Sequence, residues 1–168
     1  MDTHRRAIIT AIAALCAIAA QQAPAQSSGS FAGDFFAGGN GAQTFTQNDH
    51  NVTDSVPSAN PCTGDTGTLT ETYNDIFHET INKTGSWFTG TVEGKFTFVP
   101  DDPAKVTYTG HFATWFGDEN NLKNDVEHST FNVHATGSDG STLSFHENAQ
   151  AAMNANGVIT VSFDKTSC

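Results

Sequence analysis

Val126-Glu127-His128-Ser129-Thr130-Phe131-Asn132-Val133-His134-Ala135-Thr136, followed by Gly137-Ser138-Asp139-Gly140 and then Thr142-Leu143-Ser144-Phe145-His146-Glu147-Asn148-Ala149, is the stretch that decides the fold. Phe131, Val133 and Ala135 alternate with polar residues, and so do Leu143, Phe145 and Ala149. A period of two over this length is the pattern of a half-buried strand. Gly and Asp between two such runs are the chemistry of a hairpin turn. The stretch therefore predicts two antiparallel strands with one apolar face.

The same grammar extends in both directions. Downstream, Asn154 to Gly157 turns the chain, and Val158 to Lys165 places Ile159, Val161 and Phe163 in one phase. Upstream, Gly117 to Asp125 reads as a polar loop. Val106 to Phe116 groups Val106, Tyr108, Phe112 and Phe116. Pro100-Asp101-Asp102-Pro103 stops the strand before it, because proline cannot donate to a ladder. That strand, Trp87 to Val99, groups Val92, Phe96 and Phe98. Lys83 to Ser86 and Asn74-Asp75 read as turns, which makes Ile76 to Asn82 and Thr66 to Tyr73 separate strands. Seven strands result, or eight with a short one near Thr44 to Gln47.

Composition agrees. The chain has 13 Phe, 2 Trp and 2 Tyr, enough for a core. Leucine is nearly absent beyond Leu69, Leu122 and Leu143, and threonine is abundant, which disfavours a helical bundle and favours strands. Short links make sequence neighbours spatial neighbours. The expectation is an all-β antiparallel meander, closing as a small barrel, with a β-sandwich as the alternative.

The N-terminal residues read differently. His4, Arg5 and Arg6 precede an uncharged apolar run, Ala7 to Ala20, and Ala23-Pro24-Ala25 is a small-x-small site. This is the order of a secretory signal, and the run is too short for a comfortable membrane span. Residues 1–25 are expected to be removed, and no later stretch predicts a membrane anchor. Residues 26–61, rich in Gly, Ser, Asn and Gln, read as a flexible arm. Residues 62–168 read as the folded domain.

Removing Asp2, Arg5 and Arg6 with the leader leaves 5 Lys and 17 acidic residues, a net charge of −12, and no Arg. A nucleic-acid partner needs a basic footprint that is missing here. Two cysteines remain, Cys62 before the first strong strand and Cys168 after the last. In an oxidising compartment an even count argues for a disulfide. A bridge between the two ends of a meander favours closure into a barrel.

The histidines His111, His128, His134 and His146 fall in the outward phase, so no metal site or other cofactor is expected. Glu147 shares the inward phase of Leu143 and Phe145, Glu71 that of Leu69 and Tyr73, and Glu79 that of Phe77 and Ile81. An inward carboxylate must be paired, hydrogen-bonded or protonated. There is no nucleophile elbow, phosphate-binding loop, zinc-protease motif or EF-hand loop.

Asn60-Pro61-Cys62-Thr63-Gly64, Phe96-Thr97-Phe98-Val99-Pro100-Asp101-Asp102-Pro103, Thr136-Gly137-Ser138-Asp139-Gly140-Ser141 and Val161-Ser162-Phe163-Asp164-Lys165 before Cys168 resemble small secreted proteins of actinobacteria. The resemblance spans about Asn60 to Cys168. It implies secretion and paired cysteines and carries no activity. A calycin-like barrel is an architectural analogy only.

The leading expectation is a secreted barrel that binds a small apolar ligand without catalysis. Phe96, Phe98, Phe112, Phe131, Phe145 and Phe163 would line its interior, and Tyr108, Glu147 and Glu79 would supply polar groups. One alternative is a barrel isomerase or cyclase that uses Glu147 with Tyr108 or Glu79. Another is a structural or adhesive surface protein. Protein collected from the culture medium should begin at Gln26, and its intact mass should rise by two hydrogens on reduction. An unchanged mass would contradict the Cys62–Cys168 bridge.

Overall fold

The structure, a computed structural model, describes residues 41–121 and 123–168. The leader and the first part of the arm lie outside them. Seven strands follow one another: β1 Gln43–Ala59, β2 Thr66–Asn82, β3 Gly85–Pro100, β4 Tyr108–Asn121, β5 Asn124–Gly137, β6 Thr142–Asn154 and β7 Ile159–Ser167. They form one sheet in sequence order, every neighbouring pair antiparallel. All belong to the unit Asn40–Cys168.

One face of this sheet holds the core. Leu69, Tyr73, Val92, Phe98, Phe112, Val133, Ala135, Phe145 and Ala149 are buried on it. Two aromatic groups stand side by side there. Phe77, Phe88 and Phe116 have ring centroids 5.7–5.9 Å apart, and Phe131 lies 6.3 Å from Phe112 and 6.0 Å from Phe145. The first group leans over Gly90, which sits between Phe77 and Phe116 in register. A Cβ there would lie 2.5 Å from the Phe116 ring and 2.8 Å from the Phe77 ring, so only glycine leaves room for both.

A flat sheet could not bury one face this way, and the disulfide gives the reason it is not flat. Cys62, in the β1–β2 turn, is bonded to Cys168 at the end of β7, with 5.7 Å between their Cα atoms. Laid flat, β2 and β7 would stand roughly 24 Å apart, five spacings of about 4.8 Å. The sheet therefore curls far enough to bring the β1–β2 turn to the end of β7. The hydrogen-bond ladder itself does not close: among the described residues β1 pairs only with β2, and β7 only with β6.

Short polar motifs build the disulfide end. Asn60 Oδ1 accepts the backbone N–H groups of Cys62 (2.9 Å) and Thr63 (3.2 Å), and Gly64 takes a φ of 76°. Lys105 pairs with Asp65 at 3.2 Å. Thr66 donates to Asp101 Oδ2 at 2.7 Å. In the β5–β6 hairpin, Gly140 adopts φ 84°, which suits a residue without a side chain. Asp139 Oδ1 accepts the Ser141 N–H at 2.9 Å.

The polar loop expected over Gly117 to Asp125 is mostly strand, because β4 runs to Asn121 and β5 begins at Asn124. Three further expectations need correction. The arm does not run to Pro61, because Gln43–Ala59 is a full strand paired along β2. Its Thr, Val and Phe content serves a pleated surface, and neighbouring Gly and Asn residues hid that signal. Asn74-Asp75 is no turn, since β2 is continuous through it. These residues instead serve a bulge in β1, where Asn51 takes φ 55°. Asn74 Oδ1 accepts the Asn51 N–H at 3.0 Å, and Asp75 Oδ1 accepts the Asp49 N–H at 3.3 Å. They satisfy backbone donors, as Asn and Asp do in turns, but across the ladder.

The third correction is Phe163. A bulge on β7 pairs Met153 with Ile159 but Ala152 with Val161. That inserted residue flips the strand. By register Val161 and Phe163 fall on the outer face and Ser162, Asp164 and Thr166 on the core face, opposite Ala151, Ala149 and Glu147, and every residue of β7 is exposed.

The disulfide closes a loop with a sequence separation of 106. Chain entropy then gives a stabilisation of about 4–5 kcal/mol as an upper figure. Cys62→Ser with Cys168→Ser should lower unfolding stability in urea by about 2–5 kcal/mol. A loss below about 0.5 kcal/mol would mean that the curl persists without the bond.

Candidate functional site

The run Leu69-Thr70-Glu71-Thr72-Tyr73-Asn74-Asp75 alternates strictly in β2. Its threonines face outward, while Leu69, Glu71, Tyr73 and Asp75 face the core and are buried. β1 lays Asp54 opposite Glu71, Val52 opposite Tyr73 and Asp49 opposite Asp75. On the other side, β3 sets Phe96 against Glu71 and Val92 against Asp75. The result is a cluster of carboxyls and one phenol embedded in apolar wall.

Its electrostatics follow from burial. Tyr73 donates its hydroxyl to Asp54 Oδ2 at 2.9 Å. Glu71 is 8% exposed. Burial, and secondarily the Asp54 charge, pushes its carboxyl up to about 7. Burial also raises Asp75, with the Asp49 charge adding to it, against the Asp49 N–H and His50, which act the other way. Tyr73 is held above its ordinary value, first by burial and then by its bond to Asp54.

Two further acidic positions share this face. Asp118 on β4 pairs with Glu127 on β5. One oxygen from each of Asp118, Asp125 and Glu127 lies within 4.8 Å of the others. Burial, then Asp125 and Glu127, pushes Asp118 up to about 6, and a hydrogen bond to Asp125 adds to this. An all-oxygen set of this kind is the donor chemistry of Ca²⁺ or Mn²⁺. Glu147 on β6, half-buried opposite Phe131, is raised by burial and by Asp164.

Most positive groups lie elsewhere. By register, Lys95, Lys165, His78, His111, His128, His134 and His146 all stand on the outer face. Among the described residues, register turns no lysine side chain inward, and His50, at the β1 bulge, acts on Asp75.

The expected site residues do not meet at one place. Tyr108 and Phe98 pair with each other near the disulfide end. Phe112 and Phe145 lie further along, flanking Val133 in register, and Glu147 comes two residues beyond Phe145. Glu79 is at the opposite end. Phe98 aligns Tyr108 with Leu69 of β2, and from Leu69 to Glu79 the strand rises about 33 Å. Glu79 therefore cannot act with Tyr108.

Asp54 and Asp75 are the site residues that sequence reading missed. Asp54 was assigned to the arm and Asp75 to a turn. The alternation Val52-Thr53-Asp54-Ser55-Val56 was the available signal for the first. The register also pairs His111 with His134 across β4 and β5, a contact that strand phase alone leaves open.

No protein-family model, curated protein or solved structure matches the chain. Function is therefore argued from this geometry alone.

Because Glu71 holds its proton more tightly when folded, its contribution favours the folded state at low pH. That contribution is lost as pH rises from the unfolded value of 4.5 through about 7. Glu71→Gln should stabilise the protein at pH 8 by about 1–3 kcal/mol and be close to neutral at pH 4.5. Equal effects at both pH values, read from urea unfolding, would place Glu71 in water.

Proposed function

We propose that this is an exported protein whose curled sheet closes as a small barrel and binds a small apolar ligand on its inner face, without catalysis. We further propose that the ligand carries a positive charge. One observation carries the reading: Glu71 is buried among Asp54, Tyr73 and Asp75 on an aromatic-lined face to which, among the described residues, no strand brings a lysine.

Leaving a carboxylate charged in such a place is costly, and a cationic partner offsets that cost. An amine on an apolar body suits both halves of the surface. The ammonium would lie against Glu71 and Asp54, and the hydrocarbon would lie along Phe96, Val92 and Phe112. The disulfide supports export, since such bonds persist in oxidising compartments. It also holds the two edges where closure would occur.

Catalysis by Glu147 with Tyr108 or Glu79 has less support, because register spreads these groups along the sheet. The adhesive reading retains the exposed outer-face residues Trp115, Val161 and Phe163. It makes no use of the inward acids.

Calorimetric titration at pH 7 with octylamine, octanol and octanoate tests the proposal. Octylamine should bind, octanoate should not, and Glu71→Gln should weaken the amine at least about fivefold. Equal binding of all three would remove the charge from the account. Absence of any binding would remove the ligand.

A further inference from the structure

The outer face of the sheet carries a second, opposite arrangement. Register aligns Ser55, Thr70, Thr97, Thr109, Thr136 and Thr142 in a single row across six adjacent strands. The next row along the strands reads Lys95 on β3, His111 on β4, His134 on β5 and Ser144 on β6. Between them the sheet forms an open groove of about 790 Å³ running over β3 to β6, lined by the members of both rows on those four strands. His134 Nδ1 lies 3.3 Å from Ser144 Oγ, which sets the ring within the row.

The placement is notable for its charge. The chain has 18 acidic residues against 7 basic ones. Yet Lys95, His111 and His134 stand on three neighbouring strands. Like charges directly opposite one another on a sheet repel, and an anion laid across them removes that repulsion. The hydroxyl row repeats at the strand spacing of about 4.8 Å, close to the length of one pyranose. A polymer of hydroxylated, carboxylate-bearing rings matches both rows at once: rings against threonines, carboxylates against the lysine and the histidines.

We propose that this groove binds an acidic polysaccharide, and that acidification strengthens the binding. Histidine is the side chain that changes charge between about pH 5 and 8, while sugar carboxylates stay ionised throughout. The charged or titratable groups facing His111 and His134 are few. On β3 they are Lys95 and Glu93, each of them paired with a β4 residue; on β6 it is His146, which is tied to Asn132 at 2.7 Å. β4 and β5 themselves add Ala113, Thr109, Asn132 and Thr136 around the pair, none of which is charged. Glu93 is the one carboxylate among the described neighbours.

The test uses the whole protein and a galacturonate hexamer, titrated by calorimetry near physiological salt at about pH 5.5 and 7.5. Binding at the lower pH should be at least about tenfold tighter. Lys95→Gln with His111→Gln and His134→Gln should abolish it, and His111→Gln with His134→Gln should flatten the pH dependence. Lys165→Gln, on the outer face but outside the groove, should leave the affinity unchanged. A dextran hexamer, neutral and of similar length, should not bind.

No binding of the galacturonate hexamer at the lower pH would overturn the proposal. So would binding that survives the triple substitution, or equal binding of dextran. Inorganic sulfate binding as tightly as the hexamer would reduce the groove to a simple anion site and overturn the assignment to a polymer. The outcome is independent of the inner-face ligand, because the two rows face away from Glu71.

Discussion

The bond between Cys62 and Cys168 is the constraint on which the rest depends. An antiparallel meander of seven strands has two open edges and, if flat, two exposed faces. Neither is stable alone in a chain with so few large aliphatic side chains. Joining the β1–β2 turn to the end of β7 forces the sheet to curl. Curling brings the aromatic side chains of alternate positions together on one face. It also explains why the surrounding turn is so heavily hydrogen-bonded. Asn60, Thr63, Asp65 and Lys105 hold Cys62 where Cys168 can reach it.

The curl separates charge by face. The strand lysines and the histidines of β2, β4, β5 and β6 stand outward, while Glu71, Asp75, Asp118 and Glu147 stand inward and are partly or fully buried. A protein selected only for solubility would place its acids on the solvated face. Inward acids raise the free energy of the folded state at neutral pH, and the disulfide is one source of stability that tolerates them. The same geometry leaves the outer face rich in hydroxyls and imidazoles, so the two surfaces present opposite chemistry to whatever approaches them.

Much of the fold was legible because the strand signal is strictly local. The hairpin at Gly137 to Ser141, the β3 terminator at Pro100 to Pro103 and the phase of Phe112, Phe131 and Phe145 follow from alternation and turn chemistry. What escaped depended on partners. β1 borrows its order from β2, so Asn48 to Asn51 looked like loop material. Asn74 and Asp75 carry turn chemistry but spend it on a bulge one strand away. Phe163 fits its own strand's apolar phase, and only the bulge opposite Ala152 turns it outward.

The site was legible in kind but not in membership. That inward carboxylates exist follows from the phases of Glu71 and Glu147. Which of them gather cannot be read from phase, because register along a strand rise of about 3.3 Å per residue decides distance. Glu79 and Tyr108 share a face and stand far apart. Asp54 and Tyr73 are 19 residues apart in sequence and hydrogen-bonded.

The most direct measurement is a carbon-13 NMR titration of the side-chain carboxyls, made on the oxidised protein and again after reduction. The account predicts that Glu71 titrates near 7 when the disulfide is intact and falls toward 4.5 when the bond is opened and the curl relaxes. A Glu71 that titrates like an ordinary surface glutamate in the oxidised protein would contradict it.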